Sequence, residues 1–291
     1  MPSPELPSRV MSSPSEGAPI PVLIVGAGPT GLVLALWLTA LGVRVRIIDT
    51  TAGPGTTSRA LAVQARTLEL YEQLGIASEL IASGVKVVAL NRGVRARRAA
   101  RVVVAHMGEG LTPFPYVLAF PPDAPERLLV APLEARGVVV ERRTELLQFE
   151  QRPHDIDVRL RGADGTEERY TAGWLAGCDG AHSVVRHGLG IGFAGGTYSA
   201  LFYVADLSAS GPAVNDEIHI DLDEADFLAV FPLEGRERVR IVGSVSPGAA
   251  QRGDEITFAD VDRRTVAHLG LAISKVNWFS SYRVHHLVAS K

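Results

Sequence analysis

The stretch Val22-Leu23-Ile24-Val25-Gly26-Ala27-Gly28-Pro29-Thr30-Gly31 decides the fold, because an apolar run passes directly into a G-x-G-x-x-G motif. The run before the glycines predicts a buried strand, and Pro29–Leu41 predicts a buried helix. The segment Val43–Ile48, with valine and isoleucine at four of its six positions, predicts a second parallel strand with Asp49 at its tip. Strand, glycine turn, helix and an acid about 20 residues on are the context that a dinucleotide-binding fingerprint requires.

Each glycine of the motif has a physical role in such a fingerprint. Gly26 permits the tight turn, Gly28 lets the backbone approach a pyrophosphate, and Gly31 allows the helix to pack closely on the strand. The helix points unpaired N–H groups and its positive end at the phosphates. Asp49 can accept hydrogen bonds from an adenosine ribose. The alternative is a buried strand–helix turn whose glycines serve only packing.

A second glycine-bearing segment, Cys178-Asp179-Gly180-Ala181-His182-Ser183-Val184-Val185-Arg186, lies much further along the chain. It resembles the DG fingerprint of the single-component FAD-dependent aromatic hydroxylases, the para-hydroxybenzoate hydroxylase-like family. Other segments resemble the same family and occur in its order, namely Arg59-Ala60-Leu61 with Arg66-Thr67-Leu68-Glu69, Phe120-Pro121-Pro122 with Glu126-Arg127-Leu128-Leu129, and Trp278-Phe279-Ser280-Ser281-Tyr282-Arg283. The resemblance covers nearly the whole chain and is closest to the polyketide and phenol hydroxylase branch.

The resemblance implies an α/β fold, in which a discontinuous Rossmann-like FAD-binding domain carries an inserted antiparallel β-sheet substrate domain. It implies FAD as cofactor, NADPH as co-substrate, O2 as oxygen source and an aromatic or polyketide-type small molecule as substrate. The flavin carries the redox chemistry in such enzymes, and no catalytic acid or base is implied. The implied cofactor-binding residues are Gly26, Gly28, Pro29, Thr30, Gly31, Asp49, Arg59, Asp179, Gly180 and Arg186.

The residues of this set differ in what the resemblance implies for them. Arg59 is placed with the ADP half, and Asp179 and Gly180 lie near the pyrophosphate and ribityl chain, Asp179 also beside the pyridine nucleotide. Simpler interpretations stay open, since Arg59 can be a surface arginine and Asp179 with Arg186 a structural strand-to-helix pair. Arg46 and Arg186 are the candidates for pairing with NADPH phosphates.

Two features depart from the family's pattern. Pro122 stands where the family usually has a glutamine that reaches the flavin, and proline also lacks a backbone donor. The family's third fingerprint, a Gly-Asp strand end followed by Ala-Ala-His, is expected soon after Arg283 and does not occur before Lys291. We therefore expect a C-terminally truncated family member whose truncated end is 286–291.

Three functions remain compatible with the sequence. The first is a monooxygenase that hydroxylates an aromatic or polyketide-type substrate with NAD(P)H and O2. The second is a same-fold flavin reductase or halogenase, although the lysine and the W-x-W-x-I-P segment usual in halogenases do not occur. The third is a catalytically incomplete nucleotide-binding fragment.

Composition limits the other classes of function and location that the chain could have. The 291 residues carry a net charge of −3, which gives no broad basic field for a nucleic-acid partner. No apolar stretch reaches membrane-spanning length. The single cysteine, Cys178, excludes an intramolecular disulfide, suits a cytoplasmic location and is expected to be a small structural residue. Residues 1–19 are expected to form a disordered leader, and nothing indicates an oligomeric state.

The domain organisation is predicted from the change in periodicity along the chain. Segments 20–85 and 120–189 are expected to form the FAD-binding domain, and 86–119 and 190–285 the β-sheet substrate domain. Alternating runs predict antiparallel strands at 201–206, 216–222, 227–231 and 239–245. One apolar sheet face is expected to favour a large aromatic substrate, formed by Phe202, Val204, Phe227, Leu228, Val230 and Phe231.

Several conspicuous residues are predicted to be structural. The basic stretch Asn91–Arg101 lacks interleaved aromatics and is expected to be a solvated hairpin. His285 and His286 are not expected to bind a metal, because neighbours on a strand point to opposite faces. Asp221, Asp223, Glu224 and Asp226 are expected to form an exposed acidic turn.

Overall fold

A computed structural model describes residues 21–55, 62–94, 97–120, 124–223, 226–246, 248, 256–261 and 263–290. The expected leader at 1–19, together with Arg59, Pro121–Pro122 and Glu224, lies outside the described residues.

The strands and helices alternate in the first half of the chain, and strands dominate the second half. The strands are β1 (Val22–Val25), β2 (Val45–Asp49), β3 (Ala62–Val63), β4 (Val85–Val87), β5 (Ala89–Val94), β6 (Arg97–Val103), β7 (Val117–Ala119), β8 (Val140–Arg142), β9 (Glu145–Gln151), β10 (Ile156–Arg161), β11 (Glu167–Ala172), β12 (Trp174–Gly177), β13 (Phe193–Ser210), β14 (Ile218–Leu222), β15 (Phe227–Pro232), β16 (Arg238–Ser244) and β17 (Ala272–Ala289). The helices are α1 (Pro29–Ala40), α2 (Ala65–Gln73), α3 (Ala77–Ala82), α4 (Ala124–Glu134), α5 (Val184–Gly188) and α6 (Arg263–His268).

A parallel sheet in the order β12-β1-β2-β8 carries both glycine motifs. Its inner strand β1 is apolar and buried at every position, as expected for a parallel strand covered on both faces. On one face Ile24 and Ile47 pack with Leu32 and Leu36 of α1. The strand–helix–strand unit predicted from the first motif is therefore confirmed.

The other face of the parallel sheet is covered by the antiparallel sheet β11-β10-β9. Arg46 of β2 links the two sheets, since its guanidinium donates hydrogen bonds of 2.7 and 2.8 Å to Glu141 and of 2.9 and 3.0 Å to Glu168. The hydrogen bond to Glu141 is the main reason that the pKa of Arg46 lies above its ordinary value. These donors are committed to two carboxylates, so the expectation that Arg46 pairs with NADPH phosphates is wrong.

A seven-stranded sheet in the order β17-β13-β16-β15-β14-β5-β6 contains the strands predicted after residue 190. The predicted antiparallel pairing is confirmed for all but one neighbouring pair, because β5 and β14 run parallel. β5 comes from an earlier excursion of the chain, so no hairpin forces it to run antiparallel to β14. The strand expected at 201–206 is in fact β13, which pairs with β17 along most of its length.

The register of this sheet corrects the expected apolar face. Tyr203, Gly243 and Leu228 are cross-strand partners and share one side, and Leu228 packs there with Val266 of α6. We call this side the core face. Leu228 and Val230 lie on it, whereas Phe202, Val204, Phe227 and Phe231 lie on the opposite side, the aromatic face. The expected set includes the adjacent residues Phe227 and Leu228, and adjacent side chains of a strand point to opposite faces.

The aromatic face packs against the small sheet β3-β7-β4. Phe231 and Ile220 pack there against Val87 and Ala119, which belong to the small sheet β3-β7-β4. The neighbouring Leu118 of that sheet reaches the core around α1. The division of the chain into two domains stays a prediction, since the small sheet joins segments assigned to both.

The expected exposed acidic turn is only partly present. The N–H of Asp223 donates to the carbonyl of Asp226 at 2.8 Å. Asp221, however, is fully buried and its carboxylate hydrogen-bonds His268 at 2.8 Å. The expectation was wrong for Asp221 because β14 extends to Leu222 and turns this side chain onto the core face. In the basic stretch, Asn91 is likewise buried.

A buried ion pair lies on the aromatic face. The guanidinium of Arg240 donates to Asp206 at 2.6 and 2.9 Å and lies over the ring of Trp278, 5.3 Å from its centroid. Arg240 is fully buried and Asp206 nearly so. A buried pair of this kind is costly to break, because removing one partner leaves a desolvated charge.

We expect Arg240→Met to lower the free energy of unfolding by about 3–5 kcal/mol, since Asp206 would stay buried without its partner. The double variant Arg240→Met/Asp206→Leu should recover most of this loss. Arg161→Met, which removes an exposed ion pair with Glu145, is the matched control and should cost less than about 1 kcal/mol. Denaturant titrations measure all three, and a double variant as unstable as the single one would contradict the explanation.

Candidate functional site

A cavity of about 300 Å³ opens at the carboxyl ends of β1, β2 and β12. The carboxyl ends of parallel strands meet at one edge, which is where open α/β sheets bind ligands. Both glycine motifs reach this cavity, whose lining includes Gly26, Gly28, Asp49, Asp179 and Gly180. The structure therefore brings together five of the ten residues implied by the sequence.

Backbone contacts join the two motifs directly. The N–H of Cys178 donates to the carbonyl of Val25 at 2.7 Å, and the N–H of Gly26 donates to the carbonyl of Ile48 at 2.9 Å. Gly26 has a φ of +100°, and a Cβ at this position would lie 2.3 Å from the carbonyl oxygen of Cys178. Only glycine satisfies both constraints.

The other two glycines have opposite surroundings. A Cβ at Gly31 would lie 1.9 Å from the carbonyl oxygen of Gly26, so Gly31 is required for packing. A Cβ at Gly28 would meet nothing within 4 Å. Gly28 is therefore not explained by packing, and the space beside it can accept a ligand.

The start of α1 supplies donors to that space. The first backbone bond of the helix runs from the N–H of Leu32 to the carbonyl of Gly28, at 3.0 Å. Pro29 has no N–H. The N–H groups of Thr30 and Gly31 lie in the first turn, where the helix itself offers no carbonyl acceptor. Gly28 caps the helix without a side chain. Open space in front of N–H groups at the positive end of a helix fits a pyrophosphate.

Asp49 lies across the cavity from the glycine turn and is held by the surrounding backbone. The N–H groups of Ala27 and Thr51 each donate to its carboxylate at 2.7 Å, and the Thr51 hydroxyl donates as well. Burial by itself raises the pKa of Asp49, but these hydrogen bonds and the guanidinium of Arg142, 3.8 Å away, together lower it below its ordinary value. Asp49 is therefore ionised at neutral pH and fits an acceptor of ribose hydroxyls.

Asp179 presents an oxygen for which the described residues provide no partner. Its Oδ2 accepts the N–H of Val185 at 3.2 Å, while its Oδ1 is buried without a hydrogen bond among the described residues. Buried polar atoms are almost always satisfied. A hydroxyl of a bound ligand would satisfy this one. Next to it, Gly180 has a φ of +76° and open space where a Cβ would point.

Arg186 is placed differently from the other implied residues. Its N–H donates to the hydroxyl of Ser183 at 2.9 Å, which caps α5. Its guanidinium donates to the carbonyl of Ala181 at 2.8 Å and lies over the ring of Phe193, 4.5 Å from its centroid. These contacts brace the loop that carries Gly180. Arg186 is not part of the lining of the cavity.

Cys178 also lines the cavity but is a poor nucleophile. Burial first, and then the adjacent charge of Asp179, raise the pKa of its thiol. A raised thiol pKa leaves little thiolate at neutral pH. The structural role expected for Cys178 agrees with this environment.

Sequence reasoning missed three residues around Asp49. Thr51 follows Asp49 by two positions, a spacing typical of Asx turns, so this residue carried a local signal. Arg142 and Thr144 carried none, because they reach the site only through the pairing of β8 with β2. Arg142 contacts Thr51 and Asp49, and the N–H of Thr144 donates to the carbonyl of Asp49 at 2.9 Å.

A further contact ties the loop after β2 to α4. The N–H of Gly55 donates to the carboxylate of Glu126 at 2.8 Å. Glu126 belongs to one of the segments that carry the family resemblance. This contact fixes the described start of the loop that leads to Arg59, which itself lies outside the described residues.

Comparison with known proteins agrees with this site. The model of the FAD binding domain family matches residues 19–291, and the chain belongs to this family. It is 36% identical over 271 residues to the 6-methylpretetramide 4-monooxygenase of Streptomyces rimosus, a match that covers 90% of this chain and 47% of the relative. It is 31% identical over 250 residues to the pentachlorophenol 4-monooxygenase of Sphingobium chlorophenolicum, a match that covers 85% of this chain and 46% of the relative. The chain thus spans about half the length of these curated relatives.

Solved structures share the fold. The p-nitrophenol 4-monooxygenase PnpA from Pseudomonas putida DLL-E4 superimposes with a TM-score of 0.81 at 23% identity, covering 94% of this chain and 69% of that one. The flavin-dependent monooxygenase PieE, solved with FAD and substrate, superimposes with a TM-score of 0.80 at 22% identity. This match covers 94% of this chain and 51% of that one. The α/β fold with a large β-sheet part, expected from the sequence, is therefore confirmed. Among the described helices, none is both long and apolar enough to cross a membrane.

We expect Gly28→Val to weaken FAD binding at least a hundredfold, because the branched side chain would occupy the space in front of the helix start. Gly53→Val is the matched control, since a Cβ at Gly53 also meets nothing within 4 Å and Gly53 lies outside the cavity lining. Quenching of flavin fluorescence measures both affinities. Equal affinities of the two variants would contradict the assignment of the Gly28 loop.

We expect Asp49→Asn to destabilise the fold in a pH-dependent way. The lowered pKa of Asp49 means that its ionised form stabilises the folded state above the ordinary carboxyl pKa, about 4. The stability gap between wild type and variant should hold from about pH 8 to pH 5 and shrink as the pH falls through the folded-state pKa. Denaturant titrations across this range check it, with exposed Asp216→Asn as control. A gap that widens on acidification would contradict the sign.

Proposed function

We propose that this chain is the FAD-binding and sheet part of a monooxygenase that hydroxylates an aromatic or polyketide-type substrate with NADPH and O2. The observation that carries the proposal is the cavity at the carboxyl edge of the parallel sheet, with open space at Gly28, ionised Asp49 and the unsatisfied oxygen of Asp179. Two relatives named as monooxygenases of a polyketide-type and a phenolic compound support the reaction class.

The residues of the cavity would hold the cofactor by its polar groups. The N–H groups of Thr30 and Gly31 face the pyrophosphate, and Asp49 accepts the adenosine ribose hydroxyls. Asp179 accepts a hydroxyl of the ribityl chain. FAD, when bound, supplies the redox chemistry, taking reducing equivalents from NADPH and activating O2. The chain contributes orientation and the exclusion of water.

The aromatic face would form a wall of the substrate cavity. Phe202 lies 5.8 Å from Phe227 and 6.0 Å from Tyr282, measured between ring centroids, and all three rings are partly exposed. Tilted aromatic contacts at these distances are favourable, so an aromatic substrate can extend the row. The apolar surface also keeps water away from a reactive oxygen donor.

Location and the pyridine nucleotide are proposed from the sequence. A cytoplasmic location is proposed from the single cysteine of the chain. NADPH is proposed from the family resemblance, and with Arg46 committed to Glu141 and Glu168 no residue of this chain is assigned to its phosphates. A flavin reductase of the same fold is the competing reaction class.

We expect the FAD-loaded protein to oxidise NADPH slowly by itself and faster when an aromatic substrate such as a phenol or polycyclic quinone is added. The reaction under 18O2 should place one labelled oxygen atom in the product. Stopped-flow absorbance and mass spectrometry measure the two effects. A product that is reduced and carries no label would move the assignment to the reductase.

We expect Phe202→Ala to raise the substrate KM about five- to tenfold, because the aromatic row loses its middle ring. Val288→Ala, at a position 73% exposed near the end of β17, is the control and should leave KM unchanged. Equal KM values for the two variants would remove the aromatic face from the substrate cavity.

A further inference from the structure

The aromatic face continues across the large sheet to an arginine on β6. The partner of Phe227 on β14 is Leu222, and the partner of Leu222 on β5 is Val94. Val94 in turn pairs with Arg97 of β6. Directly paired residues of neighbouring strands lie on the same side of a sheet. The row of side chains that leads away from Phe227 therefore ends at the guanidinium of Arg97.

A second arginine lies in the adjacent row on the same side of the sheet. Ala229 of β15 pairs with Ile220, and Ile220 pairs with Arg92 of β5. Arg92 and Val94 are two positions apart on one strand, so their side chains point to the same face. Arg92 and Arg97 thus place two positive charges on the aromatic face, on the neighbouring strands β5 and β6.

Arg101 of the same basic stretch lies on the opposite side. It pairs with Asn91, whose side chain points away from that of the adjacent Arg92. Arg101 and Asn91 both donate to the carboxylate of Glu217, and in that order these hydrogen bonds lower the pKa of Glu217 to about 2. Glu217 lines a cavity of about 450 Å³ on the core face, together with the buried Asp221. The charge of Arg101 is therefore compensated on the core face.

The two arginines on the aromatic face are not compensated in this way. Both are exposed, and among the described residues neither guanidinium forms an ion pair or a hydrogen bond. The apolar side chains of the row are also open to solvent, since Val94 is 40% exposed and Leu222 and Phe227 are half-buried. A partly exposed apolar row that ends in positive charges fits a ligand with an apolar body and an anionic end.

The spacing of the strands favours a ligand of more than one ring. Two strands, β14 and β5, separate β15 from β6, so the backbones that carry Phe227 and Arg97 are about 14 Å apart at the usual strand spacing. A single ring in contact with Phe227 covers only part of this distance. A fused ring system that lies along the row brings its far end to the two guanidinium groups.

We propose that Arg92 and Arg97 bind an oxyanion of the aromatic substrate, a carboxylate or an ionised ring hydroxyl, and thereby orient its ring system along the aromatic face. Guanidinium groups form short, charge-assisted hydrogen bonds with such oxygens. The inference rests on the proposed function, because it takes the aromatic face as a wall of the substrate cavity. It narrows the substrate class to acidic aromatic or polyketide-type compounds.

The experiment measures binding and requires no turnover. The probes are anthracene-2-carboxylate and its neutral isostere anthracene-2-carboxamide, and the fluorescence anisotropy of each probe reports its binding to the protein. The wild type should bind the carboxylate at least about tenfold more tightly than the carboxamide, since hydrogen bonds to a charged group are the stronger ones. An excess of NADP+ should leave the bound carboxylate in place.

Variants of the two arginines test the contact. Arg92→Met and Arg97→Met should each weaken carboxylate binding about three- to tenfold, a modest factor because both side chains are exposed. The double variant should bind the two probes with equal affinity. Arg161→Met, which replaces an exposed arginine of β10, is the matched control and should bind both probes as the wild type does. Phe202→Ala should weaken both probes alike, because it changes the apolar wall and leaves the charges in place.

The outcomes separate this inference from the proposed function. Equal affinities of the wild type for the two probes, both weakened by Phe202→Ala, would overturn the anion site and leave the substrate wall in place. If neither probe binds, the substrate wall and the anion site are both wrong. An unchanged carboxylate affinity in the double variant would also overturn the anion site. So would displacement of the carboxylate by NADP+, which would assign the two guanidinium groups to the pyridine nucleotide.

Discussion

The rest of the structure depends on the close approach of two backbone segments at Gly26. The carbonyl oxygen of Cys178 lies 2.3 Å from the position that a Cβ of residue 26 would take, and the N–H of Cys178 donates to the carbonyl of Val25. This approach brings the ends of β1 and β12 together although they are far apart in sequence. It places the start of α1 beside Asp179, and so the cavity has donors on one wall and acceptors on the other. A side chain at position 26 would separate the walls.

The parts of the site that the sequence predicted are those with a local cause. Gly26, Gly28 and Gly31 follow from the backbone requirements of a tight turn into a helix, and Asp49 follows from its place at the end of a strand. Arg142 could not be predicted in this way. Its position beneath Asp49 arises from the pairing of β8 with β2, a long-range contact that leaves no pattern in the neighbouring residues.

The large sheet shows the same limit of prediction from local sequence. Alternating apolar residues predicted its strands, and the register then decided which side chains share a face. Phe227 and Leu228 are adjacent in sequence but lie on opposite sides, one with the aromatic row and one in the core beneath α6. Asp221 looked like part of a solvent-exposed acidic run, because its partner His268 lies on a helix that begins far along the chain. Composition alone could not reveal that pair.

Two of the glycines solve the same physical problem in opposite parts of the molecule. Gly26 admits a carbonyl, and Gly93 admits the carboxylate of Asp221, each at a distance that a Cβ would forbid. In both places the absence of a side chain leaves room for a polar group to pack against the glycine. This group then forms part of the wall of a cavity and does not fill the cavity. The polar group then fixes a neighbour, the strand end that carries Asp179 in the first case and the ring of His268 in the second. The role of such a glycine is recognised from the neighbouring group that takes the place of its side chain. That neighbour is known only once the fold is known.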